Sequence, residues 1–190
     1  CEQEVQAINA IHPLKRIETK TDKSGTQCFD MCGADIEYNS FKRTLRISMP
    51  NYIQKIMERF DMQDCNVRST PSFPERNLYA ESKSSDFKYK AAIGALQWLA
   101  TTARPDIAHS VNMLARAGAN PVTKSMEKCA RLIFRYLQGT RDIGISYSPQ
   151  QEQEFNELYK DISNHEHNQG MNPTEVDEPI HLFTDASFGV

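Results

Sequence analysis

Residues 89–116 read YKAAIGALQWLATTARPDIAHSVNMLAR, and this stretch decides the fold class. Ile93, Leu96, Trp98 and Leu99 place apolar side chains on most faces of a helix expected from Asp86 to about Thr102. Arg104-Pro105 interrupts it, because proline has no amide hydrogen to donate and disfavours helix at the residue before it. Pro105 then suits the first turn of a second helix, in which Ile107, Val111 and Leu114 share a face and which stops near Gly118. A third helix is expected from about Thr123 to Gln138. Met126, Ala130, Ile133, Phe134 and Leu137 form its apolar stripe, and Gly139 stops it.

Upstream, Pro50 suits a first helical turn, and Ile53, Ile56, Met57 and Phe60 recur at helical spacing. Before it, CFDMCGADIEY (residues 28–38) and RTLRISM (residues 43–49) read as two extended arms of one β-hairpin that turns at Asn39-Ser40. Thr70-Pro71-Ser72-Phe73-Pro74 begins a loop that runs to about Ser85, and Ile143 to Tyr147 is a short strand. The expected class is α+β, and no internal repeat is present.

The chain has 190 residues, 39% hydrophobic and 25% charged, with a formal net charge of -3. That average hides a break near residue 149. Residues 1–149 carry 21 Lys+Arg against 16 Asp+Glu, whereas residues 150–190 carry Lys160 alone against nine acids. The body is therefore at +5 and the tail at -8. Gln150 to Pro179 reads as an acidic, solvated linker with room for a short helix around Glu152 to Ile162. After it, IHLFTDASFGV turns apolar again and reads as a buried strand.

No apolar run approaches the roughly 20 residues of a membrane span, and the opening CEQEVQ does not read as a signal peptide. The five cysteines, Cys1, Cys28, Cys32, Cys65 and Cys129, are not spaced as a disulfide framework, which points to a reducing compartment. A first residue of Cys rather than Met suggests a fragment or a processed product. His165 and His167 lack a second ligand pair at zinc-site spacing. Cys28 and Cys32, four apart, would be separated by more than about 10 Å on one strand. Glycine-rich phosphate loops, H-E-x-x-H and G-x-S-x-G are all missing.

Several blocks carry a resemblance. LRISMPNYIQKIMERFDMQDCNVRSTP (residues 45–71), the stretch 89–116 and RYLQGTRDIGISYS (residues 135–148) resemble, in order and spacing, the Pol polyprotein of Copia-type long-terminal-repeat retrotransposons. FTDASFGV (residues 183–190) looks like the opening of that family's ribonuclease H. The chain departs from the family at MCGADIE, at Ala103 and at Met126-Glu127.

The resemblance implies the end of a reverse transcriptase palm over residues 1–49 and the thumb and connection over 50–149. The acidic linker over 150–179 and the first strand of ribonuclease H over 180–190 would follow. It implies magnesium as the parent enzyme's cofactor, with an RNA/DNA primer-template duplex and the rest of the polyprotein as partners. It implies a cytoplasmic location in a virus-like particle, or a nuclear one, and neither membrane attachment nor secretion. By the same resemblance Phe29, Met31, Cys32 and Gly33 fall at a primer grip, for which an ordinary packed hairpin is the alternative. Asp185 falls where ribonuclease H delivers the first carboxylate for two metal ions. The Tyr-x-Asp-Asp motif does not occur here, and one carboxylate does not hold two metals, so catalysis by this chain alone is not expected.

Lys90, Gly94 and Trp98 recur every four residues and so form one stripe: a cation for phosphate, a bare backbone and an aromatic ring. Retroviral thumb helices that lie in the minor groove of the duplex resemble it, and such contacts read shape rather than sequence. A core Trp98 is the alternative. Arg104 and Asp106 favour a structural role at the helix break, and Arg131, Arg135 and Arg141 form either a basic strip or a solvated face. The functional expectation is a duplex-binding part of a reverse transcriptase. The alternatives are a retained, non-catalytic retrotransposon-derived protein that binds nucleic acid or the element's proteins, and a helical interaction domain with no nucleic-acid role.

Overall fold

The computed structural model describes residues 18–81, 83–118 and 121–163, and side chains as far as residue 157. Its contacts divide the chain into one unit through Pro149 and another from Gln150. The first unit holds an antiparallel sheet and a helical body, and the chain is α+β as expected.

The sheet is a meander of β1 (Lys20–Thr21), β2 (Gln27–Met31), β3 (Ala34–Asn39), β4 (Thr44–Ser48) and β5 (Ile145–Tyr147), adjacent in chain order. Residues 28–38 do not form one extended arm. They fold back on themselves at Cys32-Gly33, where Met31 pairs with Ala34. Both turn residues have positive φ, 56° and 84°, as in the two-residue turn whose twist matches the strands it joins. The apolar alternation carries the reason: it runs through Phe29 and Met31, then resumes one step out of phase at Ala34, Ile36 and Tyr38. A reversal at 32–33 puts both sets on one face, since residues paired across an antiparallel ladder point the same way. The expected second turn, between β3 and β4, is present. Strand β5 returns from the far end of the unit to β4, and Gly144 is required there. A Cβ on it would lie 2.2 Å from the Ile47 carbonyl oxygen.

The helices are α1 (Pro50–Arg59), α2 (Tyr89–Thr102), α3 (Ala108–Ala117) and α4 (Lys124–Gly139). Helix α2 begins three residues later than expected, and Pro105 opens a 3₁₀ turn, Pro105–Ile107, before α3 proper. The expected loop from Thr70 contains another, Glu75–Tyr79, which buries Leu78. Thr123 caps α4 by accepting from the Met126 amide. Ile53, Met57, Leu96, Leu99, Ile107, Val111, Leu114, Ile133, Phe134 and Leu137 close the core with Phe60, whose ring lies 5.3 Å from that of Phe134. The Tyr89 hydroxyl donates to the Leu114 carbonyl at 2.8 Å and ties α2 to α3.

Two charged groups organise these helices. Arg104 is fully buried. Its Nε and Nη2 donate to the two Asp106 carboxylate oxygens at 3.0 and 2.7 Å, and its Nη1 and Nη2 donate to the carbonyl and hydroxyl of Thr140 at 2.7 and 2.8 Å. Tyr136 lies against the guanidinium and donates its hydroxyl to Asp106. The helix break is thus bolted to the end of α4. Glu127 performs the second task, accepting from Ser85, Lys124 and Arg131. It sits beside a short ladder in which Glu81, Lys83, Ser84 and Ser85 meet Val122, Thr123, Lys124 and Ser125 at the start of α4. Burial alone would raise the Glu127 carboxyl, but the hydrogen bonds from Ser85, Lys124 and Arg131 outweigh it and hold the pKa at about 2.

Helix α5 (Pro149–Ser163) occupies the first part of the stretch expected as linker and is longer than the short helix foreseen there. Gln150 and Glu154 pair along it. No helix among the described residues is long and apolar enough to cross a membrane.

Replacing Arg104 by Met leaves the Thr140 carbonyl without its donor and Asp106 with Tyr136 alone, and is expected to cost about 3 kcal/mol. Urea denaturation measures it, and a loss below about 1 kcal/mol would contradict the role given to Arg104. The Glu127 contribution has a pH signature. Because its carboxyl is depressed in the fold, the stabilisation is complete above the ordinary value of 4.5 and is lost as pH falls from there towards 2. Glu127→Gln should therefore be less stable than the parent at pH 7 by about 1–2 kcal/mol, with the gap narrowing by pH 3. A gap independent of pH in parallel urea titrations would refute it.

Candidate nucleic-acid interface

Helix α2 is amphipathic in an uneven way. Tyr89, Ala92, Ile93, Ala95, Leu96, Leu99 and Ala100 are buried against the other helices. Lys90, Gly94, Gln97, Trp98 and Thr101 are exposed on the remaining side. The four-residue spacing of Lys90, Gly94 and Trp98 thus becomes one exposed stripe, and Trp98 keeps 43% of its surface open. A Cβ at Gly94 would meet nothing within 4 Å, so packing within the chain does not demand glycine there. Gln97 and Thr101 share this side and were not singled out from the sequence, although their positions at i+3 and i+7 from Gly94 place them there. The Thr101 hydroxyl is engaged with the Gln97 and Trp98 carbonyls.

Phe29, Met31, Cys32 and Gly33 come together at the end of the β2–β3 hairpin. Phe29 is half-buried, Met31 is 49% exposed and Cys32 is exposed in the turn. Gly33 answers the positive φ of that turn rather than a crowded contact, for a Cβ there would have open space around it. Phe29, Met31 and Cys32 also border an open cleft of about 1040 Å³ whose charged lining is Glu18, Asp30, Asp35, Glu37 and Asp142 with Lys20 and Arg46. Burial raises the Asp35 carboxyl, the neighbouring Asp30 raises it further, and the Asn51 amide works against both. Arg46 is engaged with Glu37 and with the Asp142 carbonyl. A phosphate backbone would be repelled by this cleft.

The basic strip on α4 is largely committed to internal contacts. Arg131 pairs with Glu127, Arg135 donates to the Asn66 carbonyl at 2.8 Å, and Arg141 donates to Gln138. Arg104 is fully buried and all three of its nitrogens donate within the chain, so it is not presented to a phosphate. Among the described residues no three His, Cys, Asp or Glu side chains are grouped so as to hold a metal ion. Cys28 lies within β2 and Cys32 at its turn. Asp185, His165 and His167 lie outside the described residues, as does the strand expected after Pro179.

No family model matches the chain, and no solved structure matches it. Sequence relatives do. The chain is 33% identical over 117 residues to the Retrovirus-related Pol polyprotein from transposon TNT 1-94 of Nicotiana tabacum, which covers 57% of this chain and 9% of that protein. It is 29% identical over 114 residues to the putative transposon Ty5-1 protein of Saccharomyces cerevisiae, 58% of this chain and 36% of the other. An uncharacterized mitochondrial protein of Arabidopsis thaliana is 30% identical over 109 residues, 55% of this chain and 44% of its own length. The chain thus spans less than half the length of each of these curated relatives. By sequence, the chain is similar to retrotransposon proteins, a retrovirus-related Pol polyprotein among them, in line with the resemblance to Copia-type Pol.

Proposed function

We propose that this chain is the duplex-binding part of a Copia-type reverse transcriptase, with the end of the palm over residues 1–49 and the thumb and connection over 50–149. The observation that carries the proposal is the outward stripe of Lys90, Gly94 and Trp98 on a helix whose other side is buried in the core. The Lys90 ammonium neutralises a backbone phosphate, the bare backbone at Gly94 admits close approach, and the Trp98 ring lies against sugars. Such contacts follow the form of an RNA/DNA hybrid without reading its bases. The hairpin end at Phe29, Met31, Cys32 and Gly33 would meet the primer terminus through its exposed turn, where Met31 and Cys32 are open, rather than through the acids of the cleft beside it.

Chemistry belongs to the parent protein in this reading. RNA-directed DNA synthesis requires carboxylates that hold magnesium, and Asp185 would supply one ligand of a ribonuclease H site completed by further acids. The chain alone therefore neither polymerises nor cleaves. The rest of the polyprotein is its partner, and a virus-like particle is its setting.

Three variants of the full chain test the interface by titration against an RNA/DNA hybrid. Trp98→Ala should weaken binding by about 1–3 kcal/mol, and Lys90→Ala should lower the salt slope by about 1. Gly94→Leu should keep or raise thermal stability, since glycine within a helix costs about 1 kcal/mol, and yet weaken binding. Unchanged affinity in all three, in folded protein, would remove the stripe from the duplex interface.

A further inference from the structure

One polar side chain on the outward side of α2 has no task in the stripe of Lys90, Gly94 and Trp98. At about 100° per residue, Lys90, Gly94, Gln97 and Thr101 fall within about 60° of arc, and Trp98 lies about 40° beyond Gly94, at the margin of the exposed side. Gln97 thus stands near the middle of that side. Its neighbours there offer less. The Thr101 hydroxyl spends its hydrogen on the Gln97 and Trp98 carbonyls, and the Lys90 ammonium donates but does not accept. Among the described residues nothing bonds the Gln97 side-chain amide. It is also uncovered. Gly94 is its neighbour one turn back, and a Cβ there would meet nothing within 4 Å, so the glutamine does not fold back over the gap.

We propose that the Gln97 carboxamide is the group by which this helix recognises ribose, exchanging hydrogen bonds with a 2′-hydroxyl of the RNA strand. The inference rests on the duplex-binding reading above and adds which kind of strand that surface prefers. The chemistry selects the partner. A carboxamide carries both donors and an acceptor, and a 2′-hydroxyl likewise donates and accepts, whereas phosphate oxygens only accept and deoxyribose offers neither at that carbon. The wide, shallow minor groove of an A-like duplex displays its 2′-hydroxyls on the surface that a protein backbone can approach. The bare backbone at Gly94 brings α2 close to that surface, and no side chain there stands between it and the amide. Lys90 and Trp98 suit any duplex, because phosphates and sugar faces are common to RNA and DNA. Gln97 supplies the preference.

Titrations of the full chain against three duplexes of one base sequence test it. They are an RNA/DNA hybrid, the same hybrid with 2′-fluoro ribose, which keeps an A-like form but has no hydroxyl to donate, and DNA/DNA. Gln97→Met keeps a good helix former at an exposed position, so its melting temperature and salt slope should be those of the parent. It should bind the hybrid about fivefold more weakly than the parent does, the worth of one net hydrogen bond, and bind the other two duplexes as the parent does. The parent should lose about the same fivefold on passing from the hybrid to the 2′-fluoro duplex, and Gln97→Met should lose nothing there, because one bond is removed from either end. Trp98→Ala, by contrast, should weaken all three alike. Parental affinity of Gln97→Met for the hybrid overturns the proposal. So does an equal loss on all three duplexes, which assigns the amide to base edges or phosphates. A parent chain that binds none of the three overturns the duplex-binding reading and this inference together, whereas one that binds without preferring the hybrid to its 2′-fluoro form overturns this inference alone.

Discussion

A fully buried guanidinium is the constraint on which the helical body depends. A charge removed from water is tolerated only when its hydrogen-bonding capacity is met. Arg104 engages all three of its nitrogens in four donated bonds to Asp106 and Thr140, under the ring of Tyr136. Those partners come from two places, the break between α2 and α3 and the exit of α4. Satisfying one side chain therefore sets where three helices meet. Burial by itself would raise the Asp106 carboxyl, but the bonds from Arg104 and Tyr136 overcome that and keep it ionised. An ionised carboxylate is what the buried cation needs.

The consequence reaches the outer surface. With α2 held at its end by Arg104 and along its length by Leu96, Leu99 and the Tyr89 hydroxyl, its orientation about its own axis is no longer free. The side carrying Lys90, Gly94 and Trp98 is left outward. The Glu127 cluster acts similarly on the segment before α2, where Glu81, Ser84 and Ser85 are fastened to the start of α4. Most of the arginines that looked available for nucleic acid are absorbed in this way. The body's excess of positive charge is consequently a poor guide to where a phosphate would bind. The accessible cation on the α2 stripe and the acid-lined cleft on the sheet say more.

The hairpin shows why local pattern misled. Eleven residues with apolar positions at intervals look like one strand, but the phase of the alternation slips at Cys32-Gly33. Cysteine is not a residue that announces a turn of positive φ, and only the glycine hinted at it. The Trp98 question was undecidable from spacing for a similar reason. An aromatic at helical spacing suits a core or a groove equally, and which it meets depends on how the rest of the helix is packed.

The sequence by itself determined the α+β class, the helix break at Arg104-Pro105, the core stripes of α1 and α4, and the resemblance to Copia-type Pol proteins. These depend on proline chemistry, on periodicity and on ordered blocks of residues, all of which are local or linear. The tertiary structure alone decided that Arg104 is a core residue, that Trp98 faces outward, that residues 28–38 turn back on themselves, and that the hairpin borders an acid-lined cleft. Each of those depends on which surfaces distant segments bury together, and burial is a property of the assembled chain rather than of any stretch of it.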